Sequence, residues 1–322
     1  MGAVAVAKPR GRRRVADLFE QRRFLAPALI APAVIFIAAL VGIPFLLAIY
    51  LSFTDATAGS LSGNWVGFHN FVLQWDSPIF RKALWNTALF TIVSQVIVLV
   101  SAGILAHALI KPFRGRWLMR FLIVLPWAAP ISLGAISWLW IFDSLFSIVN
   151  WTLVHTHTVG VVCGVFNVSN CSATNPPQWL GDPTLAKVAI IAVHSWRIIP
   201  FATVIFIAGI ASIPNEVHDA AAVDGATGLR KFWYVSLPLQ LPIATVALLF
   251  GIVFTATDMT VTYILTHGGP FNSSHMITTW AFNVGIESGS LGEGAAVSLF
   301  MLPVLAFVAI GMLVFAKRAE VT

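Results

Sequence analysis

Apolar residues fall into six long runs, at about 25–53, 83–110, 117–141, 186–212, 239–265 and 293–317, separated by short polar segments. Each run supplies the roughly 20 helical residues needed to cross a hydrocarbon layer. Prolines interrupt the first run (Pro27, Pro32, Pro44) and the fifth (Pro242). Spans tolerate proline where neighbouring helices satisfy the freed carbonyls. The third run carries Pro126 and Pro130 and is the place to expect a kink or a break. The pattern predicts an all-α membrane protein of about six transmembrane helices.

Composition agrees. Of 322 residues, 58% are hydrophobic and only 10% charged, with a mean hydropathy of +0.87. Soluble domains carry roughly a quarter charged residues, so water alone cannot solvate this surface. The net charge of +6 does not indicate nucleic acid, because the basic residues sit in short clusters between apolar runs. Lys8 to Arg14, Arg22 and Arg23 precede a run from Phe24 that is too long for a signal peptide, so an uncleaved first span is expected.

Cytoplasmic segments hold the excess of Lys and Arg. With the N-terminus inside, 15 of the 19 such residues fall on segments 1–24, 111–120, 213–238 and 318–322 and their edges. Only Arg81, Lys82 and Lys187 fall outside, and Arg197 lies within a span. Both termini are therefore expected in the cytoplasm. The expected organisation is a basic N-terminus 1–24, a membrane domain 25–317 and a tail 318–322. External loops fall at about 54–82, 142–185 and 266–292, and a cytoplasmic loop at 213–238. Trp65, Trp75, Trp85, Trp151 and Trp179 suit interfacial anchors. Cys163 and Cys171 share the second external loop, where a disulfide or two free thiols are the alternatives. Nothing with metal-ligand spacing accompanies them, so no metal is expected.

The 213–238 loop is unusual for a linker. Pro214 stops the fourth span, and Asn215 is placed to cap a new helix. Glu216 and Asp219 sit near its start, where the helix dipole favours acids. Ala220, Ala221 and Ala222 form helix without bulk, which permits close approach of another surface. Gly225 allows a sharp change of direction, and Leu237-Pro238 opens the next span.

Asp219-Ala220-Ala221, then Asp224-Gly225-Ala226, then Phe232, Val235-Ser236-Leu237-Pro238 and Pro242 together resemble the EAA loop of ABC importer permeases. Asp219 stands where that pattern has Glu, which keeps the charge and shortens its reach by one methylene. The likeness extends along nearly the whole chain to the carbohydrate branch of these binding-protein-dependent importers. Ala31-Pro32, Ile43-Pro44, Val66-Gly67-Phe68-His69-Asn70-Phe71, Trp179-Leu180-Gly181-Asp182-Pro183, Thr266-His267-Gly268-Gly269-Pro270, Asn272-Ser273-Ser274 and Gly294-Ala295-Ala296-Val297-Ser298 carry it.

The resemblance implies a type I importer permease fold in a bacterial plasma membrane, with a second permease subunit, ATPase subunits and an extracytoplasmic substrate-binding protein as partners. It implies that Asp219, Ala220, Ala221, Asp224, Gly225, Ala226, Phe232, Leu237 and Pro238 belong to a coupling helix and its support. The chain has no G-x-x-x-x-G-K-[ST] sequence, so no cofactor is expected on it, and ATP and Mg are expected on the ATPase partner.

Charged groups inside a span are costly and point to function. Arg197 in the fourth span and Asp258 in the fifth could pair with each other or line the pathway and bond sugar hydroxyls. Trp196, Trp138 and Trp140 are aromatic candidates for a sugar face, and His107 is expected to be structural. An ion-coupled secondary transporter is the alternative. It calls for inverted repeats and several intramembrane acids, and Asp258 is the acid clearly available. No nucleophile–base set suggests an enzyme.

Overall fold

The computed structural model describes residues 22–60, 62–144, 146–169, 171–226 and 228–321, with the backbone alone at 22–24, 218, 229, 316 and 318–321. The basic cluster Lys8 to Arg14 lies outside the described residues. The described residues up to 51 and those from 52 onward form two separate compact units.

The first unit is a helix, α1 (Leu25–Ser52), whose last residue is counted with the second unit. A π turn at Ala38–Gly42 widens it just before Pro44, where the Ile43 N–H reaches back to the Ala38 carbonyl. Pro44 has no N–H to give, and the wider turn accommodates that gap.

In the second unit, α2 (His69–Asp76) leads into α3 (Pro78–Ile110). Then come α4 (Arg116–Ala128), α5 (Ile131–Ile141), α6 (Ile148–His155), α7 (Val159–Val165) and α8 (Pro183–Ala211). After α9 (Asn215–Val223) follow α10 (Phe232–Ala256), α11 (Thr260–Thr266), α12 (Ile277–Phe282) and α13 (Leu291–Phe315). Among the described residues, five helices are long and apolar enough to cross a membrane, or seven if each of two bent pairs counts as one span.

The two longest helices of this unit start the same way. Ser77 and Asp182 accept hydrogen bonds from the first helical N–H groups, and Pro78 and Pro183 occupy the first turn, where no N–H is missed. α3 and α8 then pack along their lengths. Ala102 and Ala106 on α3 and Ala186, Ala189 and Ala202 on α8 are buried, and their small side chains let the backbones approach. Larger residues fill the space on either side. Phe90, Phe142, Trp179, Ile190 and Val261 form one cluster, and Val98, Ile198, Phe206 and Ile210 another. Phe80, Ile277, Val297 and Met301 tie α3, α12 and α13 together.

Three expectations are refined. The third apolar run is broken: α4 and α5 meet at 95°. Ala129 precedes Pro130 and takes an extended conformation (φ −70°, ψ 145°), as pre-proline sterics demand. The fifth run does not reach residue 265 as one helix. It stops at Ala256, and Asp258 starts α11 by accepting from the Val261 N–H at 3.0 Å. Trp179 is not at a membrane interface. It is buried, and its indole N–H donates to Asn150 Oδ1 at 2.9 Å. Trp65, Trp75, Trp85 and Trp151 are exposed.

The 266–292 stretch is held by α3. Asn86 donates to the carbonyls of Ser273 (2.8 Å) and His275 (2.9 Å), and Thr87 Oγ1 accepts from the Ile277 N–H. Burial holds the His275 ring below its ordinary pKa. In the 142–185 stretch, α6 and α7 bend by 110°, and Cys163 and Cys171 are joined as a disulfide.

Gly285 and Gly294 touch where α12 continues toward α13, and a Cβ on Gly294 would overlap the Gly285 backbone. Gly294→Ala is expected to lower the thermal midpoint of the detergent-solubilised chain, at a cost of about 1–3 kcal/mol for overpacking. Gly311→Ala, where a Cβ meets open space, should leave the midpoint unchanged. In maleimide labelling, Cys163 and Cys171 should resist modification until a reductant is added.

Candidate functional site

Two features stand out: a polar knot between α3, α8 and α10, and the segment between α8 and α10.

The knot forms where α10 ends. Arg197 Nη2 donates to Asp258 Oδ2 at 2.7 Å, and His194 Nδ1 lies 3.5 Å from the same oxygen. His194 and Arg197 are three residues apart on α8 and so share a face. Thr255 Oγ1 donates to the Gly251 carbonyl at 2.8 Å and therefore accepts from its other two neighbours, Gln95 Nε2 and His194 Nε2, each at 2.9 Å. Thr278 Oγ1 donates to the Asp258 carbonyl at 2.9 Å. Asp258 thus uses one carboxylate oxygen for Arg197, the other to cap α11, and its carbonyl to hold α12. A Cβ on Gly251 would strike the Gln95 amide, so glycine there lets α3 and α10 close around the knot.

Arg197 and Asp258 are brought together by the fold. The two cavities beside them, one lined by Arg197 and Trp196 and one by Asp258 and His194, have volumes of only about 10 Å³. Each has room for about one water and none for a sugar. Trp138 and Trp196 meet edge to face at 5.5 Å, with Trp138 also stacked on Phe142. Trp140 is exposed. His194, Thr255 and Gln95 were not singled out as site residues by sequence. A glutamine in the middle of an apolar run was the available signal.

The second feature is the segment between α8 and α10. The N-cap position of α9 is Pro214, and Asn215 is the first helical residue, with no side-chain cap. At its other end the Gly225 N–H bonds to the Ala222 carbonyl at 3.1 Å and the Ala226 N–H to the Ala221 carbonyl at 2.8 Å. These two bonds define a Schellman turn, which needs a left-handed residue at Gly225 (φ +72°). The turn leaves Asp219, Ala220, Val223 and Asp224 exposed while Ala221 is buried. Val223 is 88% exposed. A second π turn, Phe232–Ser236, opens α10 just before Pro238, as Ala38–Gly42 does before Pro44. Phe232 stacks edge to face on His107 of α3 at 5.1 Å, and His107 Nδ1 is 2.8 Å from the Gly103 carbonyl. Leu237 is half-buried and Pro238 exposed.

Removing one partner of a buried ion pair costs up to about 3–5 kcal/mol, because the other is left uncompensated. Arg197→Ala should therefore lower the thermal midpoint of the purified chain clearly, and Arg197→Met combined with Asp258→Asn should recover most of that loss. Unchanged stability in the single variant together with lost uptake would contradict a pairing role.

A family model described as a binding-protein-dependent transport system inner membrane component matches residues 99–321. The sulfoquinovosyl glycerol transport system permease protein of Agrobacterium fabrum is 30% identical over 87% of this chain and 86% of its own length. The trehalose/maltose transport system permease protein of Thermococcus litoralis is 29% identical over 73% of this chain and 74% of its own. A chain of a bacterial alginate ABC transporter, solved in complex with an alginate pentasaccharide-bound periplasmic protein, shares the fold with a TM-score of 0.73. It is 20% identical, over 95% of this chain and 96% of that one. The ion-coupled alternative gives way to these matches. The chain belongs to the family of binding-protein-dependent transport system inner membrane components, as a multi-pass inner-membrane permease subunit of an ABC importer.

Proposed function

We propose that this permease imports a sugar or sugar derivative as one of two permease subunits, and that residues 213–238 pass the motion of an ATPase subunit to its spans. The exposed end of α9 carries this reading. A helix of nine residues presents Asp219, Ala220, Val223 and Asp224 outward, and its direction is set by the Gly225 turn. An apolar residue exposed as far as Val223, ringed by acids and small residues, suits the groove of a partner. Phe232 on His107 links this segment to α3, so a displacement of α9 reaches the bundle through a packed contact.

The excess of Lys and Arg at 1–24, 111–120 and 213–238 favours a cytoplasmic location for the segment and for both termini. ATP and Mg then belong to the ATPase, and an extracytoplasmic binding protein delivers substrate at the opposite face, where Cys163 and Cys171 sit in an oxidising compartment. The sugar class rests on the two similar permeases, whose names give a sulfoquinovosyl glycerol and trehalose or maltose as the substrates. The cavities beside Arg197 and Asp258 are too small for a sugar as they stand. Arg197 and Asp258 would meet substrate hydroxyls only after the helices around them separate.

The test is Asp219→Arg in the assembled importer. A reversed charge in the docking groove should leave assembly of the permease pair intact, abolish uptake and make ATP hydrolysis insensitive to the loaded binding protein. Uptake at the unmodified rate would overturn the docking role.

A further inference from the structure

In the 142–185 stretch an open groove of about 580 Å³ runs beside α6. Its size falls within the roughly 300–1,000 Å³ of ligand sites. Phe146, Trp151 and Val154 give it apolar walls, Ser144 and His155 add polar edges, and Pro176 contributes from the polar stretch before α8. Among the described residues its lining holds no Asp, Glu, Lys or Arg, and residues 142–185 contain no Lys or Arg. An anionic ligand finds no counter-charge there.

Trp151 and His155 lie four residues apart on α6 and so share a face. Their rings stack at 4.1 Å and 28°. His155 Nδ1 is 2.8 Å from the Trp151 carbonyl and carries the hydrogen there, which fixes the ring and leaves Nε2 of the neutral imidazole as an acceptor. Trp151 stays 58% exposed despite the stack. The helix beneath is pinned. Ser147 Oγ accepts from the Asn150 N–H at 3.1 Å, and Asn150 Nδ2 donates to the Pro177 carbonyl at 3.0 Å. The platform is therefore ordered before any ligand arrives, which lowers the cost of binding. Beyond Pro176 the chain is polar and irregular. Ser172, Thr174 and Asn175 are exposed, and Asn175 and Gln178 line a second cavity of about 230 Å³ that shares Pro176 with the groove. An exposed irregular segment of this kind belongs in water, because hydrocarbon would leave its backbone groups unsatisfied.

We propose that this groove is a second site for a neutral sugar, separate from the polar knot. A pyranose ring lays its C–H face on the exposed indole of Trp151, and its hydroxyls donate to His155 Nε2 and exchange hydrogen bonds with the Ser144 hydroxyl. An aromatic surface with a few uncharged polar groups at its edge suits a ring that is apolar on its face and hydroxylated on its rim. The groove has room for such a ring, which the cavities of about 10 Å³ at the knot lack. The scarcity of Lys and Arg favours the outer side for this segment, so sugar held here waits at the mouth of the importer. The assignment rests on the reading that this importer carries a sugar.

Saturation-transfer NMR of the full-length chain in phosphatidylcholine nanodiscs, free of sugar-headed detergent, tests this with maltose, trehalose, cellobiose and diacetylchitobiose as probes. At least one should bind, with transfer strongest at its ring C–H protons. Trp151→Ala should weaken that binding roughly tenfold, while Trp151→Phe, which keeps an aromatic face, should retain most of it. Trp85→Ala, which removes an exposed indole from α3, should change nothing. Both Trp151 variants should keep the Cys163–Cys171 disulfide, as a folded α6 and α7 require. Binding of none of the probes, binding unmoved by Trp151→Ala, an equal loss in Trp151→Phe, or a photo-cross-linker at position 151 that captures lipid in place of sugar would each overturn the proposal. Uptake of the same sugars by the assembled importer separates the two readings. A sugar taken up but never held by the lone chain overturns the groove alone, whereas a sugar held at Trp151 but never taken up overturns the import reading alone.

Discussion

In hydrocarbon no water completes a broken hydrogen bond, so each place where this chain leaves a helix must supply its own partners. The break after Ala256 is the most demanding of these. Asp258 meets it by capping α11 through one carboxylate oxygen, and Arg197 of α8 answers the charge on the other. Thr278 holds the Asp258 carbonyl, so the same residue ties four helices together. A charge that would be a liability in a straight span becomes the joint around which α8, α10, α11 and α12 are set. Gly251 and the small residues of α3 and α8 follow from that constraint, because the joint closes only where backbones approach.

The same rule shapes the opposite part of the molecule. Pro238 removes one N–H at the root of α10, and the π turn Phe232–Ser236 absorbs the change. The turn places Phe232 against His107, and the Schellman bonds at Gly225 aim α9 outward. α9 is therefore a short, turned helix set before a widened helix root, and α10 runs from that root to the knot.

Much of this was legible in the sequence, for physical reasons that differ by element. Long apolar runs declare spans whatever their neighbours are, and the pre-proline rule at Ala129–Pro130 marks a break without any tertiary knowledge. The residues at 219–238 were readable because a turn that demands Gly225 and a helix root that demands Pro238 leave few alternatives. Arg197 and Asp258 were visible as intramembrane charges, but whether they pair depends on a register between α8 and α10 that no local pattern carries. Gln95, Thr255 and His194 were passed over because a polar residue in an apolar run gives no sign of its partner. Trp179 was taken for an interfacial anchor, since composition cannot distinguish an indole at a headgroup from one bonded to Asn150 inside the protein. The direction Trp140 faces was unreadable for a related reason: a helix of uniformly apolar residues gives no sign of which face turns inward.

The central claim is that the exposed end of α9 seats in an ATPase subunit. The most direct measurement is site-specific photo-cross-linking from a benzophenone side chain at Val223, an exposed residue of that end, in the assembled importer. The account predicts a covalent product with the mass of this chain plus one ATPase subunit. It predicts that the yield changes when ATP binds, because the lever moves with its seat. A product with lipid or with the second permease alone, and none with the ATPase, would contradict it.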